Sequence, residues 1–483
     1  MMASMEDYEI VIGLETHVQL LTRSKVFCGC STKFGQKPES ATCPVCQGLP
    51  GTLPVLNEKA FKHAIKTALA LECKIQEVIK FDRKNYYYPD LPKNFQISQY
   101  DMPLGYAGFL EIEHDGREKK IAITRVHLEE DAGKLIHDEK KGECYLDLNR
   151  AGIPLLEIVS EPDIRSPEEA GIYLQSMRTV LRYLEVSDCN MEEGSLRCDA
   201  NISVRKKGEK ELGVKTELKN MNSFKSVRDA LGYEADRQCG LVRSGQKILQ
   251  ETRLWDEPGK MTRTMRVKEE AHDYRYFPEP DLIPFVVRKD EIEKIRKALP
   301  ELPRAKKKRL MSKYGLGVYD AGVLTRDAVT SAFFEETVKL VNRPKDVANW
   351  ILGDVTSVLN EKKVAVSDTP FKPAHLAELI SLIESGSITG KVAKVILTDA
   401  IISGRAPKEL VQEKGLGQIV DSGEIAAIVE AVIKDNAKSV EDYRKGKSSA
   451  LMFLVGQIMK KSRGKANPKI ASDLLKKRLN NEK

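Results

Sequence analysis

The sequence predicts an α+β protein, with an antiparallel sheet domain followed by an all-α part. Three observations predict it. Four segments before residue 220 alternate apolar and polar residues with the period of two that a strand imposes. Well-signalled helices are few and lie between them. Past Pro284 the strand signal stops, and Lys, Glu, Ala and Leu recur at helical spacing.

The alternating segments are 11–20, 123–131, 198–204 and 214–218. In the first, Glu15, His17 and Gln19 share a face, and Leu14, Val18 and Leu20 flank the other. In the third, Asp199, Asn201 and Ser203 alternate with Ala200, Ile202 and Val204; in the fourth, Lys215 and Glu217 alternate with Val214 and Leu218. Each segment thus has an apolar back and a polar front. A front of carboxylates, imidazole, amides and amines suits Mg²⁺ and phosphate. It also describes the solvated face of an ordinary antiparallel sheet.

Three helices are marked in this half. One starts near Asn57 and runs through Leu69. A second has Ser166 as N-cap, Pro167 in its first turn and Glu169 placed to close a capping box. A third runs from Ser223 to about Val242, with Gly245 beyond its end. In the helical half, 302–309 is a basic linker or helix start, and Gly386, Gly390 and Gly404 divide short helices. Segments 424–433, 450–459 and 470–475 read as a small three-helix terminal domain. Lys460, Lys461, Arg463, Lys465 and Lys469 fill the connection between its last two helices, where phosphate contacts are expected.

At 483 residues the chain exceeds one core, so two or three domains are expected. A composition of 41% hydrophobic and 31% charged residues fits a globular protein rich in surface charge. No run of 18 apolar residues suggests a membrane span, and the polar, acidic N-terminus does not read as a signal peptide. A cytoplasmic location is the expectation. The net charge of +7 is uneven: residues 434–483 hold 14 Lys and Arg against 5 Asp and Glu, so this segment carries +9 and the rest −2. A basic appendage on a neutral body fits an anionic polymer as partner, or a solubilising helical face.

Of nine cysteines, Cys73, Cys144, Cys189, Cys198 and Cys239 are scattered singly, as in reducing compartments. The others form two close pairs, Cys28-Gly-Cys30 and Cys43-Pro-Val-Cys46. Two such pairs on turn-forming sequence fit a tetrahedral Cys₄ zinc site, and also four reduced structural thiols. Four protein ligands would leave no open position, which favours a structural zinc.

The chain has no Walker A motif, no Gly-rich dinucleotide loop, no Gly-x-Ser-x-Gly elbow and no Gly/Ser-rich amidase stretch with a nearby Lys. A nucleotide would therefore need an unusual pocket, and any ammonia used would be made elsewhere. Two aromatic–proline stretches, 81–92 and 273–284, can stack on bases and grip phosphates, or act as packed loops between core elements.

Longer segments carry a resemblance: 11–20, 81–86, 126–134, 157–165, 191–203, 216–223 and 273–281. In this order they resemble the B-subunit family of the tRNA-dependent amidotransferases, GatB of the GatCAB complex. The resemblance spans most of the first 290 residues; the helical half resembles the family's helical domain and YqeY-like tail. It implies a cradle catalytic domain over 1–293 with a zinc loop at 28–46, a helical domain over 294–408 and a tRNA-binding tail over 409–483.

The resemblance also implies a function. Such proteins are ATP-dependent carbon–nitrogen ligases with glutamine as amido donor. They phosphorylate the side-chain carboxylate of misacylated Glu-tRNA(Gln) or Asp-tRNA(Asn), using ATP and Mg²⁺. Ammonia from a glutaminase A subunit then displaces the phosphate, within a heterotrimer that includes a C subunit. The family's Mg²⁺ and nucleotide site falls on Glu15, His17, Glu130, Asp199 and Glu217. Glu129 is a lesser candidate, since it faces away from Glu130 on a regular strand. Asn201, Lys215 and Lys219 suit phosphates, with Arg83, Lys84 and Arg125 behind them. His17 suits either a metal ligand or a base toward ammonium. The Cys₄ pattern of Cys28, Cys30, Cys43 and Cys46 occurs in only part of the family, as a structural Zn²⁺ site would. Two alternatives stand beside this reading: a free-standing ATP-dependent carboxylate–amine ligase for a small molecule, which leaves the basic tail unused, and a non-catalytic, zinc-containing RNA-binding scaffold.

Overall fold

The alternating segments become parts of one nine-stranded sheet in the computed structural model, which describes residues 7–138, 141–267, 274–419, 421–462 and 465–481. In chain order its strands are β1 (Tyr8–Gln19), β2 (Lys74–Ile75), β3 (Gly105–His114), β4 (Arg117–Glu130), β5 (Pro154–Ser160), β6 (Leu196–Lys206), β7 (Thr216–Lys219), β8 (Glu251–Asp256) and β9 (Met261–Val267). The spatial order is β9-β8-β7-β6-β1-β5-β4-β3-β2. Neighbours are antiparallel except β7 and β8, which are parallel. The α+β expectation holds. Asp273 and Arg463, singled out from the sequence, lie outside the described residues.

The chain divides into two compact units, Met1–Leu302 and Pro303–Lys483. In the first, the apolar back of the sheet meets three helices: α1 (Glu58–Ala70), α2 (Pro167–Tyr183) and α3 (Phe224–Arg243). Ile12, Leu14 and Val18 share one buried cluster with Tyr173, Leu174 and Met177 of α2 and Val227 and Leu231 of α3. Burying this back commits the opposite face to polar residues, because a strand cannot turn one side chain without turning its neighbours.

The helix starts follow their caps. Asn57 accepts from the amides of Lys59 and Ala60, Ser166 from Glu169 and Ser223 from Ser226. The capping box at α2 does not close on Ser166. The Glu169 carboxylate reaches one residue further back, to the Arg165 amide at 2.8 Å, and also receives Lys119 at 2.7 Å. The fourth expected strand is shifted. Pairing starts at Thr216, so Val214 is exposed and Lys219, not Lys215, stands with Glu217 on the front. Just before this strand, Gly213 runs close to β6: a Cβ there would lie 2.2 Å from the Val204 carbonyl oxygen.

The second unit is helical and has two cores. One gathers Leu310, Phe334, Val347, Leu376, Ile396 and Leu410. The other gathers Ile425, Val429, Val440, Leu454, Ile458 and Leu475. The second core differs from the three-helix expectation by one short helix, Ala437–Arg444, between Ser422–Asp435 and Ser448–Lys461. Its single buried apolar residue, Val440, is too weak a periodic signal to read from sequence. Lys460 and Lys461 belong to the last turn of the Ser448–Lys461 helix, not to a loop.

Gly108 tests the packing of α1 on the sheet. A Cβ there would meet Cys73 Sγ at 2.3 Å and the Leu71 carbonyl oxygen at 2.5 Å. Gly108→Ala is expected to destabilise the first unit by about 1–3 kcal/mol, seen as a lower melting transition. An unchanged transition would show that this contact is loose.

Candidate active site

Register builds the site on the front of the sheet. Residue 17 of β1 lies opposite Arg197 of β6 on one side and Glu157 of β5 on the other, and Glu157 lies opposite His127 of β4. One row therefore reads Arg197, His17, Glu157, His127. The next row reads Asp199, Glu15, Val159, Arg125, and Glu217 of β7 lies opposite Asn201.

Two ligand-like trios result, each with its ligating atoms within 4.8 Å of one another: Glu15, Asp199 and Glu217, and His17, Glu129 and Glu157. The residues expected together thus fall into two groups on neighbouring rows of the sheet. The first is all oxygen. Asn201 donates to Glu15 at 2.9 Å, Thr252 to Glu217 at 2.7 Å, and the Lys219 ammonium bonds both Asp199 and Glu217. Burial disfavours that ammonium, but Asp199 and Glu217 outweigh it and raise its pKa. Lys215 is exposed and lines a cavity of about 290 Å³ beside this trio, with Glu15, Asn201, Val11, Val159 and Leu212.

The second trio mixes nitrogen and oxygen. His17 Nε2 lies 3.4 Å from Glu157 Oε2 and 4.0 Å from Glu129 Oε1. Burial works against a charged ring at both histidines. The neighbouring Glu157 and Glu129 win, raising the His17 pKa and pushing that of His127 up to about 9. The same pairing holds the Glu157 carboxyl well below its ordinary value, against its own burial, and lowers Glu129 likewise. Lys84 adds to this balance. It is raised because Glu129 and Glu157 favour its charge over the cost of burial, and its ammonium lies 5.0 Å from the Tyr274 ring centre.

Two expected residues, Glu130 and Arg83, sit elsewhere, while Arg125 and the front-face Gln19 lie on the polar face. Glu130 faces the back of the sheet with Val126 and Leu128, where it receives Lys93 and, at 2.9 Å, the Ile97 amide. Alternation thus selects Glu129, not Glu130, for the front. Arg83 points away from its neighbour Lys84; it holds Glu279 through two bonds of 2.8 and 2.9 Å and lies over Phe95 at 4.1 Å. Arg125 is on the front row, with its Nε buried and unpartnered among the described residues. Gln19 faces forward but binds Asp131 at 2.7 Å.

Three residues of the site lie outside the set expected from the sequence. Glu157 is a lone carboxylate in the apolar run Pro154–Ser160, and such a residue is almost never buried without a partner. That exception was the available signal. His127 stands two residues before Glu129, hence on its face. Arg197 stands two before Asp199; it donates to Asp131 at 2.8 Å, and its Nε is buried and unpartnered among the described residues.

Apart from this face, the sulfurs of Cys28, Cys30, Cys43 and Cys46 also lie within 4.8 Å of one another. None is in a disulfide. The Cys43 amide donates to Cys46 Sγ at 3.2 Å, and Lys25, fully buried, places its ammonium 3.5 Å from the same sulfur. The hydrogen bond from Cys28, with a smaller contribution from Lys25, holds the Cys46 thiol well below its usual range. These groupings form a soft thiolate set able to take a metal and a harder oxygen–nitrogen set on the sheet.

Comparison with known proteins agrees with this division. The GatB/GatE catalytic domain family matches residues 10–293, and the GatB domain family matches residues 332–479. The chain is 55% identical over 478 residues to the B subunit of the aspartyl/glutamyl-tRNA(Asn/Gln) amidotransferase of Carboxydothermus hydrogenoformans, covering 98% of this chain and 99% of the relative. It is 54% identical over 472 residues to the protein of the same name from Caldanaerobacter subterraneus subsp. tengcongensis, with 98% and 99% covered. The Thermodesulfovibrio yellowstonii protein of that name is also 54% identical, over 468 residues, with 97% and 98% covered. On its sheet domain, its helical domain and its full-length similarity, the chain belongs to the GatB family.

Proposed function

We propose that this chain is the B subunit of an aspartyl/glutamyl-tRNA amidotransferase. It activates the side-chain carboxylate of Glu-tRNA(Gln), Asp-tRNA(Asn) or both with ATP, then amidates it with ammonia from a glutaminase A subunit, in a cytoplasmic heterotrimer with a C subunit. Similarity to the named relatives along nearly the full chain supports this. The single structural observation that carries it is the pair of acidic trios on one polar sheet face.

The chemistry follows from the substrate. A carboxylate resists ammonia because its leaving group would be oxide or hydroxide. Attack of a carboxylate oxygen on the γ-phosphorus breaks the bond to ADP and gives an acyl phosphate. Ammonia then attacks the acyl carbon, the C–O bond to phosphate breaks, and the nitrogen loses a proton. Glu15, Asp199 and Glu217, all oxygen donors, fit Mg²⁺; His17, Glu129 and Glu157 fit a divalent cation that accepts one nitrogen. Bound Mg²⁺ would gather phosphate oxygens and offset developing charge. The chain's own cations do related work. Lys219 can pass from Asp199 and Glu217 to phosphate oxygens, and Lys215 and Asn201 line the cavity beside them, which has room for part of the nucleotide. Lys84 and Arg197 bring positive charge to the rows where the substrate carboxylate would react. We assign His17 to the metal rather than to proton removal from ammonium, because its Nε2 is directed at Glu157.

The division into a catalytic part over 1–293, a helical part over 294–408 and a tRNA-contacting tail over 409–483 belongs to the same proposal, as does a structural Zn²⁺ on Cys28, Cys30, Cys43 and Cys46. Lys25 supports the zinc. Among the described residues its buried ammonium contacts Cys46 Sγ and the Leu148 carbonyl and pairs with no carboxylate, so a thiolate cluster is its counter-charge.

The decisive assay uses the purified complex with ATP, glutamine and each misacylated tRNA; turnover with deacylated tRNA or a free amino acid would overturn the reading. Glu15→Ala and Glu217→Ala are expected to lower acyl-phosphate formation by roughly 100-fold or more, with tRNA retention on filters unchanged. Metal analysis should find one zinc per chain, lost in Cys43→Ser together with thermal stability. Metal-free protein of undiminished stability would refute a structural zinc. Deleting 422–483, a segment with its own core, should weaken tRNA binding and flatten its salt dependence; wild-type binding after deletion would remove the tail from the tRNA interface.

A further inference from the structure

We propose that His127 is a positioning residue for the His17, Glu129 and Glu157 trio, holding both carboxylates through its Nε2–H in the orientation that presents them to a divalent cation. This rests on the reading of that trio as a metal site.

The geometry argues for it on several counts. His127 Nε2 lies 3.3 Å from Glu129 Oε2 and 3.4 Å from Glu157 Oε2. Both contacts follow from strand placement: Glu129 is two residues along the same strand, and Glu157 is the residue opposite on β5. The ring makes no use of its other nitrogen. Its Nδ1 is buried and has no hydrogen-bond partner among the described residues. A buried nitrogen left unpaired is unfavourable, so a histidine serving only to fill the core would be poorly chosen here. Every polar contact of the ring is spent on the two carboxylates. Nε2–H is available in both the neutral tautomer that fits these contacts and the charged ring, so the role does not depend on its titration.

The two Glu129 oxygens divide their contacts, and Glu157 shares one oxygen between both rings. Glu129 Oε2 receives Ser98 Oγ at 2.9 Å as well as His127, while Glu129 Oε1 is the atom nearer His17. Glu157 lies between the two imidazoles, with Oε2 3.4 Å from each Nε2. His17 is reachable from the front, its side chain 20% exposed, whereas that of His127 is 3% exposed. The exposed imidazole therefore suits direct ligation and the buried one suits support. Hydrogen bonds from outside a ligand set to its carboxylates typically change metal affinity by about 10–100-fold.

The test is Mn²⁺ binding to the full chain carrying Glu217→Gln, which disables the all-oxygen trio. Free Mn²⁺ is read by electron paramagnetic resonance, and nitrogen coupling in the bound spectrum reports the His17 site. In that background, His127→Leu should weaken Mn²⁺ binding by about 10–100-fold, while His127→Gln, which keeps an N–H donor of similar reach, should recover most of it. Equal binding by the leucine variant, or a glutamine variant as weak as leucine, would overturn the positioning role while leaving the metal site in place. Parent protein that binds Mn²⁺ without nitrogen coupling, or not at all, would instead overturn the metal reading beneath it. If the leucine variant fails to fold, His127→Asn, too short to reach either carboxylate, is compared with His127→Gln. Weaker binding by asparagine supports the proposal, and equal binding overturns it.

Discussion

Pairing register around β1 is the constraint on which the rest of the structure depends. His17 meets Glu157 on one side and Arg197 on the other, while Leu14 and Val18 stay in the core. A slip of one residue would send Glu15, His17 and Gln19 into the apolar back and expose Leu14, Thr16 and Val18. Hydrophobic burial by α2 and α3 therefore fixes the positions of charged residues that never touch those helices. The same argument explains why Asp199 of β6 and Glu217 of β7 converge on Glu15 of β1, although β6 lies between β7 and β1 and long stretches of chain separate the three.

A face carrying so many carboxylates is held together by cations placed among them. Lys219 bridges Asp199 and Glu217, and Arg197 binds Asp131. His127 joins Glu129 to Glu157, with Lys84 close by. Like charges packed this closely repel strongly when partly desolvated, so each cation lowers the cost of assembling the face. It follows that loading such a face is an exchange. A divalent cation bound by the all-oxygen trio would compete with the Lys219 ammonium there, which could then meet a phosphate.

Much of this was legible in the sequence, within limits that have a physical cause. Alternation located the strands bearing Glu15, His17, Asp199, Asn201 and Glu217, because side-chain period is a local property of extended chain. It could not say which strands are neighbours, and so could not show that these residues divide into two trios. Local pattern also missed where β7 begins: pairing starts at Thr216, so Lys215 lines the cavity while Lys219 shares the front with Glu217. Between Glu129 and Glu130 the resemblance pointed to Glu130, but the alternation of β4 puts Glu129 on the front, since Val126 and Leu128 share the face of Glu130. Glu157 was hidden for a different reason. Its strand is apolar on both sides of it, so the residue reads as an anomaly until its two imidazole partners, both distant in sequence, are known.

The thiol cluster shows the opposite relation between sequence and structure. Four cysteines in two close pairs define their own meeting point almost without help from the fold, since turn geometry brings each pair together and a metal can join the pairs. What the sequence does not disclose is Lys25, three residues before the first of these cysteines and fully buried against Cys46. An ammonium out of water with no carboxylate partner is strongly unfavourable unless other negative charge is present. Four neutral thiols would not supply that charge; a thiolate cluster, which with Zn²⁺ carries a net charge of −2, would. The burial of one lysine thus supports the proposed zinc over the other reading that the cysteine spacing leaves open. Under the same proposal this cluster is structural, and the sheet face, with its cations and partly exposed His17, carries the chemistry.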